Sequence, residues 1–305
     1  LRGSEMVERC PSVVLRGAIT FALVIAIYVH ARVHVATGGN SWRSFISQTP
    51  ITPAWWSDAF LQIVAFTLQL ASIVYTWLPM GYSIDQKKTV LVETVGFPWI
   101  AQWAAVIATD IVHLALGSSP QILMATSLAG SLAGFLALYG CLRRLHPLMI
   151  RVAKAEKALR STQDVALLRT GTRWATAYVL FRLPTSISAG LAAARVTSDL
   201  AAVAMSALGA SFDTAVNPSL GLLLATMVLA VAMINHLDDV GFGATVLAWL
   251  LGLIAASHTL LIVKGFCIAL ALALAMRAAF KYVPDDEDVT TAEAYLQIQK
   301  AGKRL

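Results

Sequence analysis

The sequence predicts an all-α, polytopic transmembrane helical bundle of about eight spans. Three observations predict it. Long apolar runs fill the chain from Val13 to Phe280, most near the ~20 residues a helix needs to cross a ~30 Å hydrocarbon core. Hydrophobic residues make up 58% of the chain and charged ones 13%. Backbone amides in lipid must be satisfied within their own segment, so such runs form helices. The net charge of +6 is carried by loops and helix ends, which suits anionic lipid headgroups and not nucleic acid.

The first span covers Val13 to Val35, with its apolar centre from Gly17 to His30, and a polar loop from Gly38 to Pro50 follows. The second runs from Trp55 to Met80; the Trp55–Trp56 pair and Tyr75–Trp77 mark its two interfacial belts. The third runs from Gly96 to Leu116 and the fourth from Gln121 to Leu142, the latter carrying a Gly130–Gly134 small-residue face suited to close helix approach. Residues 143–164 read as an amphipathic helix on the membrane surface. Leu148, Val152, Ala155 and Leu159 recur at helical spacing, and Arg143, Arg144, Arg151, Lys154, Lys157 and Arg160 are placed to meet lipid headgroups.

Leu167 to Phe181 reads as an interfacial helix leading into the fifth span, which starts at Pro184, a residue favoured in a first turn, and ends near Ala210. The sixth span runs from Pro218 to Asn235, the seventh from Val240 to Ala256 and the eighth from His258 to Phe280; the last two are also readable as one long helix. Residues 1–12 and 281–305 are polar tails, the second with a Thr290–Glu293 capping box that predicts a short helix. An even span count and the basic loops place both termini on the cytoplasm-equivalent side. The chain begins at Leu1. A mature form freed of a targeting peptide and a trimmed gene product are the two readings of that start, and the first points to an organellar membrane.

Ionisable groups inside the membrane are the candidates for function. Arg195 and Asp199 lie four apart on the fifth span, so they share a face and are expected to pair, either as a packing device or as a polar site. Asp110 and His113 lie three apart on the third span, a spacing that permits a structural hydrogen bond or a proton relay. Asp58 is expected near the headgroups, and Lys264 to snorkel. His30, His34, His113, His146, His236 and His258 are scattered, four of them at span ends, where the interfacial reading competes with axial ligation of a pigment or haem. Cys10, Cys141 and Cys267 are too dispersed for a disulfide framework or a zinc site. No haem-attachment, zinc-protease, phosphate-loop or nucleophile-elbow motif is present. The sequence therefore assigns no catalytic residue and no metal set.

Two stretches carry a family resemblance. Trp42-Arg-Ser-Phe45 followed by Thr49-Pro-Ile-Thr-Pro-Ala-Trp-Trp56 resembles the entry to the second helix of the translocator protein / tryptophan-rich sensory protein (TspO/MBR) family, in its longer eukaryotic form. Arg182-Leu-Pro-Thr-Ser-Ile-Ser-Ala-Gly190 is similar to the opening of that family's fifth helix, and Asp199 falls where those relatives carry Asn. The resemblance covers Val13 to Ala210. It implies a five-helix bundle over 13–210 with three further helices over 211–280, and a tetrapyrrole or sterol-like ligand near Trp55, Trp56, Pro184 and Asp199. Asp58, Leu61, Ala65, Ser188 and Leu191 replace aromatics that line the cavity in relatives. That loss shifts the expectation to a non-catalytic accessory subunit of an organellar membrane complex, in the plastid thylakoid or mitochondrial inner membrane. Such a subunit would hold lipid, chlorophyll or another tetrapyrrole at its surface, with membrane lipids and other subunits as partners. The alternative is a translocator-type binder or transporter. An enzyme using Asp110 and His113 is the third reading.

Overall fold

A computed structural model describes residues 2–36, 49–78, 82–116, 120–161, 174–209 and 211–280. The helices are α1 (Arg2–Ala36), α2 (Trp55–Trp77), α3 (Tyr82–Leu116), α4 (Pro120–Ser161), α5 (Trp174–Ala177), a π-turn (Tyr178–Arg182), α6 (Leu183–Leu208), α7 (Val216–Leu237), α8 (Val240–Ala255) and α9 (Leu261–Phe280). No strand occurs among the described residues. Seven helical segments are long and apolar enough to cross a membrane, with α5, the π-turn and α6 counting as one. The chain is an integral membrane protein built as a helical bundle.

Packing explains the order. α3 lies along α1 on one side and α4 on the other, and α4 also packs on α6. α6 touches α2, α4, α7 and α8, so it is the central helix. Most buried apolar side chains, from Ile19 and Leu23 through Trp99, Trp103 and Phe181 to Trp249 and Leu274, form one continuous cluster, and Leu123, Met124 and Ala202 form a small second one. The last three helices therefore share a core with the first five spans. Outward faces carry Phe21, Ile63, Phe97, Leu136, Val228 and Leu272, exposed apolar side chains of the kind lipid tails cover.

The structure differs from the sequence reading in three places and decides a fourth. α4 does not end at Leu142. It continues unbroken through Pro147 to Ser161, because Leu145 and Met149 bury the same face that Leu138 and Leu142 begin. Residues 143–161 are thus an extension of the fourth span and not a separate in-plane helix, and the rest of the predicted 143–164 segment lies outside the described residues. Pro184 does not start the fifth span; it follows a π-turn inside a helix begun at Trp174. Proline has no N–H to offer the Leu180 carbonyl, and that carbonyl accepts a hydrogen bond from the Ser72 hydroxyl of α2. The seventh and eighth predicted spans are separate helices, as expected, and not one long one: Ala256 leaves helical geometry with ψ 130° and the chain turns before Leu261. Residues 2–12 continue α1 and are not a tail. The predicted 281–305 tail and its capping box, and most of the 38–50 loop, lie outside the described residues.

α8 has 16 residues, about 24 Å of helix, and is surrounded by α2, α6, α7 and α9. Small residues seat it. A Cβ on Gly190 of α6 would lie 2.8 Å from Thr245 Cβ, and one on Gly241 would lie 3.0 Å from Ser186 Cβ. Its first turn is capped by Asp239, whose carboxylate accepts from Phe242 N–H at 3.0 Å and from the Ser186 hydroxyl at 2.8 Å. At its other end the Gly252 carbonyl accepts from Ala54 N–H at 3.0 Å. The chain entering α2 is held there too: Ile51 O accepts from Ser198, and Thr52 O lies 2.9 Å from His258 Nε2.

Candidate functional site

The polar groups of the bundle fall into separate sets. One lies midway along the helices and is neutral. Gln69 of α2 accepts from Trp103 Nε1 at 3.1 Å and donates to Gln102 at 3.2 Å and Ser188 at 3.1 Å, while Trp99 Nε1 donates to Thr185 at 3.0 Å. Every partner is an amide, indole or hydroxyl, so the set ties α2, α3 and α6 together without burying charge.

The second set is charged and sits at one end of the bundle, in the last turns of α1 and α3 and the first turns of α2. On α2, Asp58 and Gln62 are four apart and share a face. Arg195 of α6 grips both: Nε donates to Asp58 Oδ1 at 3.2 Å, and Nη2 donates to Asp58 Oδ2 at 2.9 Å and to Gln62 Oε1 at 2.6 Å. The fork geometry is what a guanidinium offers a carboxylate. Gln62 Nε2 lies 3.2 Å from His30 Nε2, and His30 Nδ1 lies 3.2 Å from Asp110 Oδ2. The chain Asp58–Arg195–Gln62–His30–Asp110 thereby links four helices. Phe66 meets the His30 ring edge-on at 6.5 Å.

Asp199 lies one turn beyond Arg195. Its Oδ2 accepts from Ser127 at 2.9 Å and Ser131 at 2.8 Å, a hydroxyl pair four apart on α4. Asp199 and Asp110 both act electrostatically on Arg195 besides its partner Asp58. The Asp110 side chain is 3% exposed and His30 35%, so the imidazole is the accessible end of the chain.

A third set closes the opposite end, around the α7–α8 turn. Arg182 donates to the Leu237 carbonyl, and Asp238 takes the left-handed conformation (φ 52°) that ends α7. Burial pushes the Asp239 carboxyl above the ordinary carboxylate value, against the opposing pull of Phe242 N–H, Arg182, Ser186 and His146.

The predicted pairing of Arg195 with Asp199 is corrected accordingly. Arg195 forms its ion pair with Asp58 and not with Asp199, because the guanidinium reaches across to α2 while Asp199 turns to the α4 hydroxyls. Asp110 is bound by His30 of α1; the side chain of its expected partner His113 is outside the described residues. The four residues assigned to a ligand site do not converge. Trp56 is 48% exposed on the outer surface, Pro184 and Asp199 are buried at opposite parts of α6, and the Trp55 side chain is not among those described. Fifteen residues of helix separate Pro184 from Asp199, about 22 Å. Of the basic residues on α4, Arg143, Arg144, Arg151 and Lys154 are exposed, and the side chains of Lys157 and Arg160 are not described. Cys141 and Cys267 are buried and free. Among the described residues no group of three or more His, Cys, Asp or Glu side chains is placed to hold a metal ion.

Sequence reasoning missed His30 and Gln62 as members of the site. The signal was present: Asp58, Gln62 and Gln69 are the charged and amide side chains of an otherwise apolar or hydroxyl-bearing second span. Compared with known proteins, the chain matches no family model, no curated protein and no solved structure.

Proposed function

We propose that this protein is a non-enzymatic membrane carrier that takes a small cation at the charged cluster joining α1, α2, α3 and α6. One observation carries the reading: Asp58, Asp110 and Asp199 act around the single guanidinium of Arg195. Charge inside a membrane is expensive, and residues that carry it mark ion and proton pathways. A purely structural clasp has no need of excess carboxylate; the Gln69 set clasps three of the same helices with neutral groups. Three carboxylates opposite one guanidinium favour a cationic occupant. The test is flux. In liposomes containing the purified protein, a potential set by potassium and valinomycin should drive H+ or Na+ entry that Arg195→Gln abolishes. Uptake of H+, Na+ and K+ equal to that of protein-free liposomes overturns the reading.

A second reading has its own observation. α4 has 42 residues, about 63 Å, twice the ~30 Å of a hydrocarbon core, and its far end carries exposed Arg151 and Lys154. Such an arm supports an accessory subunit docking on a larger assembly of an organellar inner membrane, with lipid or pigment at its surface. Migration of the native protein as part of a large complex on a native gel, lost when Arg151 and Lys154 are replaced by Glu, tests it; migration as a small particle refutes it. A translocator-type site for a tetrapyrrole or sterol has less support, since its four candidate residues are dispersed.

A further inference from the structure

We propose that His30 is a proton-binding site and that the Gln62 carboxamide converts its protonation into release of one of the two partners of Arg195. The inference rests on reading the charged cluster as the working site and names its ligand, the proton.

The argument is one of donors and acceptors. A guanidinium donates only. The atom of Gln62 that lies 2.6 Å from Arg195 Nη2 is therefore the carboxamide oxygen. That fixes the other end of the amide, 3.2 Å from His30 Nε2, as a donor. His30 Nε2 must then be a bare acceptor, so the ring proton sits on Nδ1 and is given to the Asp110 carboxylate at 3.2 Å. The inability of Arg195 to accept thus propagates through two residues and sets both the tautomer and the neutral state of an imidazole on another helix.

A second proton cannot enter without breaking this order. Protonation at Nε2 sets an N–H against the Gln62 NH2 group. Turning the amide over repairs that contact and sets the same NH2 against Arg195. The amide turns: Gln62 then accepts from the imidazolium, Arg195 keeps Asp58 alone of its two partners, and the link from α1 to α6 opens. The protonated ring is meanwhile paired with Asp110. The charged groups joined to His30 by hydrogen bonds are Asp110 of α3 directly, and Arg195 of α6 and Asp58 of α2 through Gln62. With 35% of its side chain exposed against 3% for Asp110, His30 is also the more accessible of the two.

Solid-state NMR of the full chain in phospholipid nanodiscs, with 15N-labelled His and Arg, tests the proposal. Signals are assigned by loss in His30→Gln and Arg195→Lys. At high pH the His30 Nδ1 should resonate as a protonated ring nitrogen and Nε2 as a bare one. On acidification between about pH 8 and 5, the range in which histidine ordinarily titrates, Nε2 should become protonated, and the Arg195 Nη signals should shift with the same midpoint. In Gln62→Leu the His30 titration should persist and the Arg195 response should vanish. A proton on Nε2 at high pH overturns the proposal from the wild-type spectrum alone, as does an Arg195 signal that ignores pH. An Arg195 response retained in Gln62→Leu overturns the role of the amide. Failure of the carrier reading is separable: a coupled titration without ion flux removes the carrier and leaves the proton switch.

Discussion

The ion pair of Arg195 with Asp58 gives the most discriminating prediction, because Asp199 offers the same arginine a neighbour four residues away on its own helix. At 2.9 Å and an effective dielectric near 20, two unit charges attract by about 6 kcal/mol. Desolvation offsets much of that, and breaking one side of a buried pair typically costs about 3–5 kcal/mol because a charge is stranded. Asp58→Asn and Arg195→Gln should each destabilise by about that amount. The double variant should lose less than the sum, with a coupling energy of about 2 kcal/mol or more. Recovery will be incomplete, since Arg195 also acts on Asp110 and Asp199. The parallel cycle of Arg195→Gln with Asp199→Asn should couple more weakly, because Asp199 keeps its bonds from Ser127 and Ser131. Equilibrium unfolding in mixed detergent micelles, followed by tryptophan fluorescence, measures all of these. Additive losses for Asp58 and Arg195, or a larger coupling for Asp199 than for Asp58, would refute the assignment.

Two further outcomes follow from the packing and the cap. Gly190→Ala should cost about 1–3 kcal/mol by overpacking, since its Cβ would meet Thr245 Cβ at 2.8 Å, whereas Gly134→Ala, whose nearest neighbour would be Gln102 Cγ at 3.8 Å, should be neutral or mildly stabilising; equal effects in thermal melts would show that the α6–α8 contact is not tight. The Asp239 carboxyl is raised above its ordinary value of 3.8, so between that value and its higher folded one the native state binds the proton more tightly than the unfolded chain does. Stability from this group therefore falls as pH rises through the window and increases on acidification. Subtracting the Asp239→Asn melting profile from that of the wild type should isolate this slope, and a flat difference would contradict it.

The spans were legible because hydropathy and length are local properties, and the helical bundle follows from them. The partners of the charged groups were not. Arg195 and Asp199 stand side by side in the chain, whereas Arg195 and Asp58 are 137 positions apart and meet only because α6 packs on α2. His30 reads as an interfacial residue near the end of its span, and Gln62 as an uncharged polar residue without a motif; their roles emerge only when Arg195 fixes which way the amide points. The α4 extension shows the complementary error. Leu148, Val152, Ala155 and Leu159 fit an amphipathic surface helix by spacing, yet Leu145 and Met149 in the same stretch continue the buried face of the fourth span, since periodicity reports that a face is apolar and not what it is apolar against. Pro184 was read as a helix start because proline favours first turns; the π-turn before it and the hydroxyl of Ser72 let the helix run through.

The short helix α8 bears on how the protein is made. The chain emerges from the ribosome in order, so α1 to α6 are synthesised before the helix that packs against α2 and α6. Until α8 arrives, the Gly190 face of α6, the Ser186 hydroxyl and the entry to α2 at Ala54 lack the partners they have in the finished molecule. α8 is itself shorter than the membrane is thick and draws its end contacts from α2 and α6. Its insertion and the closing of the bundle are thus one event, and a chain halted after α6 would expose an unsealed seam to membrane quality control.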